Sequence, residues 1–202
     1  MNNILAFHKS VQGSNHIEWG RPCEDASGSY ANPEKQYYLA AVSDGHGADE
    51  CYRADKGSKI AVEIAIKDLQ ELAEKMTRTP EVEARFYQDM LSSPRYQQMT
   101  MRHLTDVIHA EWVESVRQDL QDHPPTEAEL VSLQEQKKTN YTVSDRPEQV
   151  YGCTLMAALW MPKCLLLIHQ GDGRCDVFYT DGTVDQPIPW DSRCVGTRTT
   201  SL

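Results

Sequence analysis

No apolar run in this chain is long enough to span a bilayer, and its first residues, MNNILAFHKSVQG, lack the charged stretch, apolar stretch and cleavage site of a secretory leader. The expectation from both absences is a cytoplasmic protein. Positive charge is scarce as well: 20 Lys and Arg stand against 30 Asp and Glu, a formal net charge of -10. A surface of that sign repels phosphate backbones and anionic headgroups, which argues against nucleic acid or a membrane as the main partner. The six cysteines (Cys23, Cys51, Cys153, Cys164, Cys175 and Cys194) include no CxxC pair. Several sit in apolar, strand-like runs, so they read as reduced core thiols and neither as a disulfide framework nor as zinc ligands. Cys23 differs in setting, since Glu24 and Asp25 beside it disfavour its thiolate. Internal repeats and low-complexity tracts are also missing. A length of 202 residues suits one domain with a substantial core.

The most informative stretch is 37–47, YYLAAVSDGHG. An apolar, β-leaning run ends abruptly in Ser43-Asp44-Gly45-His46-Gly47, so a buried strand is expected to deliver a carboxylate and an imidazole to a glycine-flanked loop. Asp-Gly is also a common turn dipeptide, and alone it would mean no more than a turn. Two further acidic clusters change that reading. Arg21-Pro22-Cys23-Glu24-Asp25 precedes the strand, and Gly171-Asp172-Gly173-Arg174 follows a second strongly apolar run.

Periodicity supplies the rest of the framework. Residues 4–11 read as a first strand, 12–16 as a polar loop, 26–30 as a short strand and 37–43 as the strand leading to Asp44. Ala61, Ile64, Ala65, Leu69, Leu72, Ala73 and Met76 recur at three-and-four spacing, predicting a helix from about 57 to 75 with Ser58 as its N-cap. A short helix over 81–91 and a long one over 99–121 follow, the latter ending before His123-Pro124-Pro125. Residues 123–149 are polar and charged, and read as a surface excursion or flexible connection. Strands are expected over 151–160, 165–169 and 176–179, with Asp181-Gly182 as a hairpin turn. Strands, then helices, then strands is the order of an α+β fold.

In sequence order, PCEDA, AAVSDGHG, YGCTLMAAL and QGDGRCDVF resemble the protein phosphatase 2C family of metal-dependent serine/threonine phosphatases, in its bacterial form. The resemblance runs from about residue 7 to 202. It implies two packed antiparallel sheets flanked by helices, with Mg²⁺ or Mn²⁺, two or more ions, at one end of the sandwich. It also implies hydrolysis of phosphoserine and phosphothreonine in a phosphoprotein substrate through a metal-activated water. Hard cations of this kind take carboxylate and carbonyl oxygens and keep several waters. Carried over residue by residue, Asp44 would bridge two metals, Gly45 would offer its carbonyl to one, and Glu24 and Asp25 would support metal-bound waters. Asp172 would belong to an additional, weaker metal site. His46 would stand where the general acid is proposed, and Arg21, one residue off register, where an arginine clamps the substrate phosphate.

The family's later DGxxD-type motif and final Asp-Asn pair are missing between here and Leu202. The chain therefore reads as a single domain over 1–202 that lacks the C-terminal part of the family's domain. Fewer carboxylates compensate less of the repulsion between two cations. Three functions follow from that reading: a phosphatase of low activity as it stands, a catalytically incompetent phosphatase-like binding or regulatory module, and a hydrolase of small phosphoesters.

Overall fold

The computed structural model describes residues 4–48, 50–130, 147–195 and 199–202. Its centre is an antiparallel sheet of four strands in the order β1 (Ala26–Asn32), β2 (Tyr37–Ser43), β3 (Leu155–Met161), β4 (Cys164–Gln170). A separate two-stranded ribbon joins β5 (Val177–Phe178) to β6 (Val184–Asp185) across the Asp181-Gly182 turn, where Gly182 takes φ +85°. This is the α+β class with antiparallel sheets that the sequence predicts, compatible with a phosphatase 2C-like fold.

Alternation along the strands sets which face is buried. Tyr37, Leu39 and Ala41 of β2 and Leu155, Ala157 and Leu159 of β3 point into one core, while Val42 and Leu165 on the intervening positions stay exposed. Three helices close the core: α2 (Ala54–Met76), α3 (Pro80–Ser92) and α4 (Pro94–Asp122). The apolar stripe of α2 lies against β1, β2 and β3, and α4 packs over α2. Thr79 and Ser93 cap α3 and α4 through Val82 N–H and Tyr96 N–H, each with a proline at the start of the helix, where no N–H partner is needed. Trp112 of α4 is fully buried and donates its indole N–H to the Gly57 carbonyl at 3.0 Å. That closeness is possible because the core face of α2 is built from Gly57, Ser58, Ala61 and Ala65.

Three local expectations are corrected. Residues 4–11 form no strand; His8 and Ser10 instead bond through their side chains to Ser29 and Ser27 of β1, and Leu5 and Phe7 are each 83% exposed. The expected loop at 12–16 contains a one-turn helix, α1 (Ser14–Glu18), with no side-chain cap. Ser58 is not an N-cap: α2 begins a turn earlier, and the Ser58 hydroxyl donates to the Glu24 carbonyl at 2.6 Å. Most of the excursion expected over 123–149 lies outside the described residues. The part next to it is anchored: Glu129 pairs with the buried Arg53 at 3.2 Å, and Arg53 also reaches Tyr151 Oη at 2.9 Å. Tyr151 belongs to a 3-10 turn, Pro147–Tyr151, that leads into β3. The six cysteines are all free, as expected.

Candidate active site

Antiparallel order explains why residues far apart in sequence meet. Ala26 of β1 lies opposite Ser43 of β2, so Asp25 and Asp44 are the next positions beyond that ladder, at the same sheet end. Leu155 of β3 lies opposite Gln170 of β4, which puts Thr154 and Asp172 at that end too. Bonds across the edge fix the geometry. Asp44 N–H donates to Thr154 Oγ1 at 2.9 Å, and Thr154 N–H donates to the Asp44 carbonyl at 2.8 Å. Asp172 accepts from the Thr199 hydroxyl at 3.3 Å.

The DGHG loop is wedged between the sheet end and the start of α2. Gly45 N–H donates to the Glu24 carbonyl and His46 N–H to the Gly152 carbonyl, at 3.1 and 2.9 Å. A side chain at Gly45 would stand 2.6 Å from the Glu24 carbonyl oxygen and 2.9 Å from that of Ala54, so this position requires glycine on contact grounds. Gly171 needs it on conformational grounds as well, with φ +117° and Thr154 packed against it.

The sequence-predicted residues fall into adjoining groups. Asp25, Asp44 and Asp172 share one cleft of about 310 Å³, together with Thr154, His169 and Lys9. Arg21 and Glu24 line a neighbouring hollow of about 160 Å³. Arg21 donates to the Gly47 carbonyl at 3.1 Å, which ties the arginine to the loop. Gly45 and His46 line neither of the two. His46 Nε2 is buried with no hydrogen-bond partner among the described residues. Burial lowers the His46 pKa, opposed by the charge of Asp172. Lys9, Thr154 and His169 went unselected from sequence; Thr154 at least sits inside the YGCTLMAAL stretch that carries the family likeness.

The electrostatics are those of crowded carboxylates. The Asp44 pKa is raised to about 6, first by burial against the cleft wall, then by Asp25, which also hydrogen-bonds it, and by Asp172 and Glu24. Glu24 is raised as well, chiefly by burial, with His16 and Arg21 opposing. Acids held this close favour a shared proton or a cation between them. Among the described residues no three His, Cys, Asp or Glu side chains converge tightly enough to hold a metal on their own. The donor set nevertheless fits a hydrated hard cation, which needs only one or two protein carboxylates and keeps the remainder of its shell as water.

One consequence concerns stability. Asp44→Asn relieves the crowding, so without divalent cation the variant should melt higher than the parent. The raised folded-state pKa sets the sign: the crowding is absent well below pH 4, where Asp44 is protonated folded or unfolded, grows as the pH rises through 4 to 6, and is fully felt above pH 6. After allowance for solvent screening of a part-exposed group, about 1 kcal/mol is expected at pH 7, or ~2–4 °C in melting temperature. Melting curves with chelator at pH 4.5 and 7.5 test this; a gap that does not grow with pH contradicts it.

An α+β protein with an acid-lined cleft at one sheet end is the class that fold and geometry define. The chain belongs to the protein phosphatase 2C family, whose model matches residues 12–202. No curated protein matches it.

Proposed function

We propose that this chain is a metal-dependent phosphoprotein phosphatase acting on phosphoserine and phosphothreonine. The observation that carries the reading is the convergence of Asp25, Asp44 and Asp172 in one cleft of a phosphatase-family chain. Asp44 and Asp25 would hold Mg²⁺ or Mn²⁺, with the Gly45 carbonyl beside them, Glu24 supporting the hydration shell and Asp172 serving a weaker ion. A divalent cation bound there supplies Lewis acidity toward phosphoryl oxygens and lowers the pKa of a coordinated water.

The chain's own groups do the rest. Arg21, held by Gly47, presents a guanidinium beside the loop to orient a phosphate. Lys9 adds a positive charge to an otherwise acidic cleft. Thr154 fixes the Asp44 backbone from both sides, so the carboxylate is aimed before substrate arrives. His46 Nε2 is the atom proposed to hand a proton to the leaving alkoxide; no hydrogen-bond partner among the described residues engages it, and its burial means that the ring must turn toward the cleft to do so.

The general-acid role has a specific signature. His46→Gln should reduce turnover of a phosphothreonine peptide by about 10²-fold, while a p-nitrophenyl ester, whose leaving group needs no proton, should lose less than about threefold. Equal losses on both substrates would reassign His46 to loop positioning.

One observation favours the second reading, a phosphatase-like binding module: the missing tight three-donor cluster among the described residues. The deciding assay measures Mn²⁺-dependent release of phosphate from a phosphothreonine peptide and an aryl phosphate, with and without chelator. Chelator-sensitive turnover, weak and rising with Mn²⁺, supports the enzyme. Phosphopeptide binding without turnover supports the module, and chelator-insensitive turnover refutes the metal reading.

A further inference from the structure

The acidic cleft has a further neighbour on its Asp172 side. Gly173 lines the cleft and also lines a hollow of about 190 Å³, built from Arg174 and Cys175 after β4 and from Gln186, Ile188 and Trp190 after β6. Residues 172 and 174 are two positions apart, no more than about 7 Å along the backbone. A peptide seated in extended form with one residue at Asp172 therefore carries a nearby residue over the hollow.

Arg174 is the unusual group. Its side chain is exposed, and its guanidinium carbon lies 5.5 Å from the centre of the Trp190 ring, itself 56% exposed. The ring restrains a long, flexible side chain without consuming its N–H donors. Among the described residues no acid pairs with Arg174. The acids around it have partners of their own: Asp191 is held by Arg193 and Thr200, Asp176 accepts from Gln186, and Asp172 accepts from Thr199. Arginine and tryptophan standing together at the surface are the residue types that most often anchor a bound chain.

We propose that this hollow is a specificity subsite, in which Arg174, steadied by Trp190, receives the carboxylate of an Asp or Glu lying within about three positions of the phosphorylated residue. The proposal rests on the phosphopeptide reading of the cleft and names the peptides that suit it. Chemistry chooses the carboxylate. A planar fork of N–H donors meets it in a two-point contact. A second phosphate would bring close to two charges past Asp172 and Asp176, and their repulsion grows with it. A basic side chain is repelled by Arg174 itself. With a net charge of -10, the rest of the surface disfavours acidic peptides, so an acid is accepted at this place and not elsewhere along the peptide.

Phosphothreonine peptides that differ only by Glu or Gln at one of the three positions on either side of the phosphorylated residue test it. Each is also made as a non-hydrolysable phosphonate, so that fluorescence anisotropy reads binding without turnover. One position is expected to favour Glu over Gln by about five- to tenfold in affinity and in kcat/KM. Arg174→Gln should remove that preference and leave hydrolysis of p-nitrophenyl phosphate unchanged. Arg174→Glu should turn the preference toward Lys at the same position, a reversal that a merely structural arginine would not give. A Glu preference without turnover of any phosphoester supports the subsite and sinks the phosphatase reading. Equal affinity for Glu and Gln peptides at every position, with p-nitrophenyl phosphate still hydrolysed, overturns the subsite and leaves the phosphatase reading standing. Full preference retained in Arg174→Gln, or no binding of any phosphopeptide, overturns it as well.

Discussion

Asp44→Asn is expected to fold, to melt slightly higher than the parent without cation, and to lose about 10³-fold in Mn²⁺-dependent phosphoester hydrolysis, ~4 kcal/mol of transition-state stabilisation. The two effects share one cause. Asp44 sits where β2 ends, partly withdrawn from water, beside Asp25 and in the field of Asp172 and Glu24, so its ionised form is resisted by the apo protein. A cation is the species that turns this crowding into attraction, and an amide at position 44 weakens both the repulsion and the binding. Sites that carry function are often the places where stability is held below what the fold would permit. The measurement pairs initial rates over a Mn²⁺ series with melting curves in chelator. A variant within tenfold of the parent's rate would remove Asp44 from the chemistry, and a variant that melts lower without cation would remove the crowding argument. Rate and stability moving in opposite directions separate a lost ligand from a damaged fold.

How much of this was legible depended on how local the signal was. The abrupt end of an apolar, β-leaning run in Asp-Gly located the end of β2, and the three-and-four stripe located α2, because both reflect side chains committed to one core. That Asp25, Asp44 and Asp172 would meet was foreseeable once they were placed at strand ends, though only antiparallel register brings all of them to the same edge. Lys9 escaped notice because nothing in its neighbourhood is periodic; it reaches the cleft from a segment held by the side-chain bonds of His8 and Ser10. Residues 4–11 open with the apolar run Ile4-Leu5-Ala6-Phe7, which suggests a strand, yet Leu5 and Phe7 find no core and the backbone forms no ladder. Ser58 misled for the opposite reason. Serine near a helix start usually caps it, and here a tertiary bond to the Glu24 carbonyl outweighs that local preference. The buried Arg53, which joins Asp119, Glu129 and Tyr151, has no sequence signature, because its partners come from three separate stretches of chain.

Gly57→Ala should be among the most damaging single substitutions in the chain, although the same change within a solvent-facing helix stabilises by about 1 kcal/mol. A Cβ at position 57 would stand 1.8 Å from the Tyr151 carbonyl oxygen and 2.8 Å from its carbonyl carbon, and neither backbone atom can turn aside as a flexible side chain would. To admit one methyl, α2 must retreat from the 3-10 turn that leads into β3. That retreat strains the Trp112 indole bond to the Gly57 carbonyl and the Arg53 bond to Tyr151 Oη. Overpacking against fixed backbone, with two buried polar contacts disturbed, is expected to cost about 3 kcal/mol or more. At this chain length that corresponds to a melting temperature lower by ~6–12 °C. Gly13→Ala is the control, since an added Cβ there meets nothing within 4 Å. A Gly57→Ala variant that melts at or above the parent would mean that α2 and the 147–151 turn do not touch as described. Activity should fall alongside stability, because α2 also carries Ser58 against the Glu24 carbonyl and Ala54 against Gly45, so a displaced helix start no longer braces the loop that presents Asp44. In this variant the rate and the melting temperature fall together, whereas Asp44→Asn drives them apart; that contrast distinguishes the scaffold of the cleft from its chemistry.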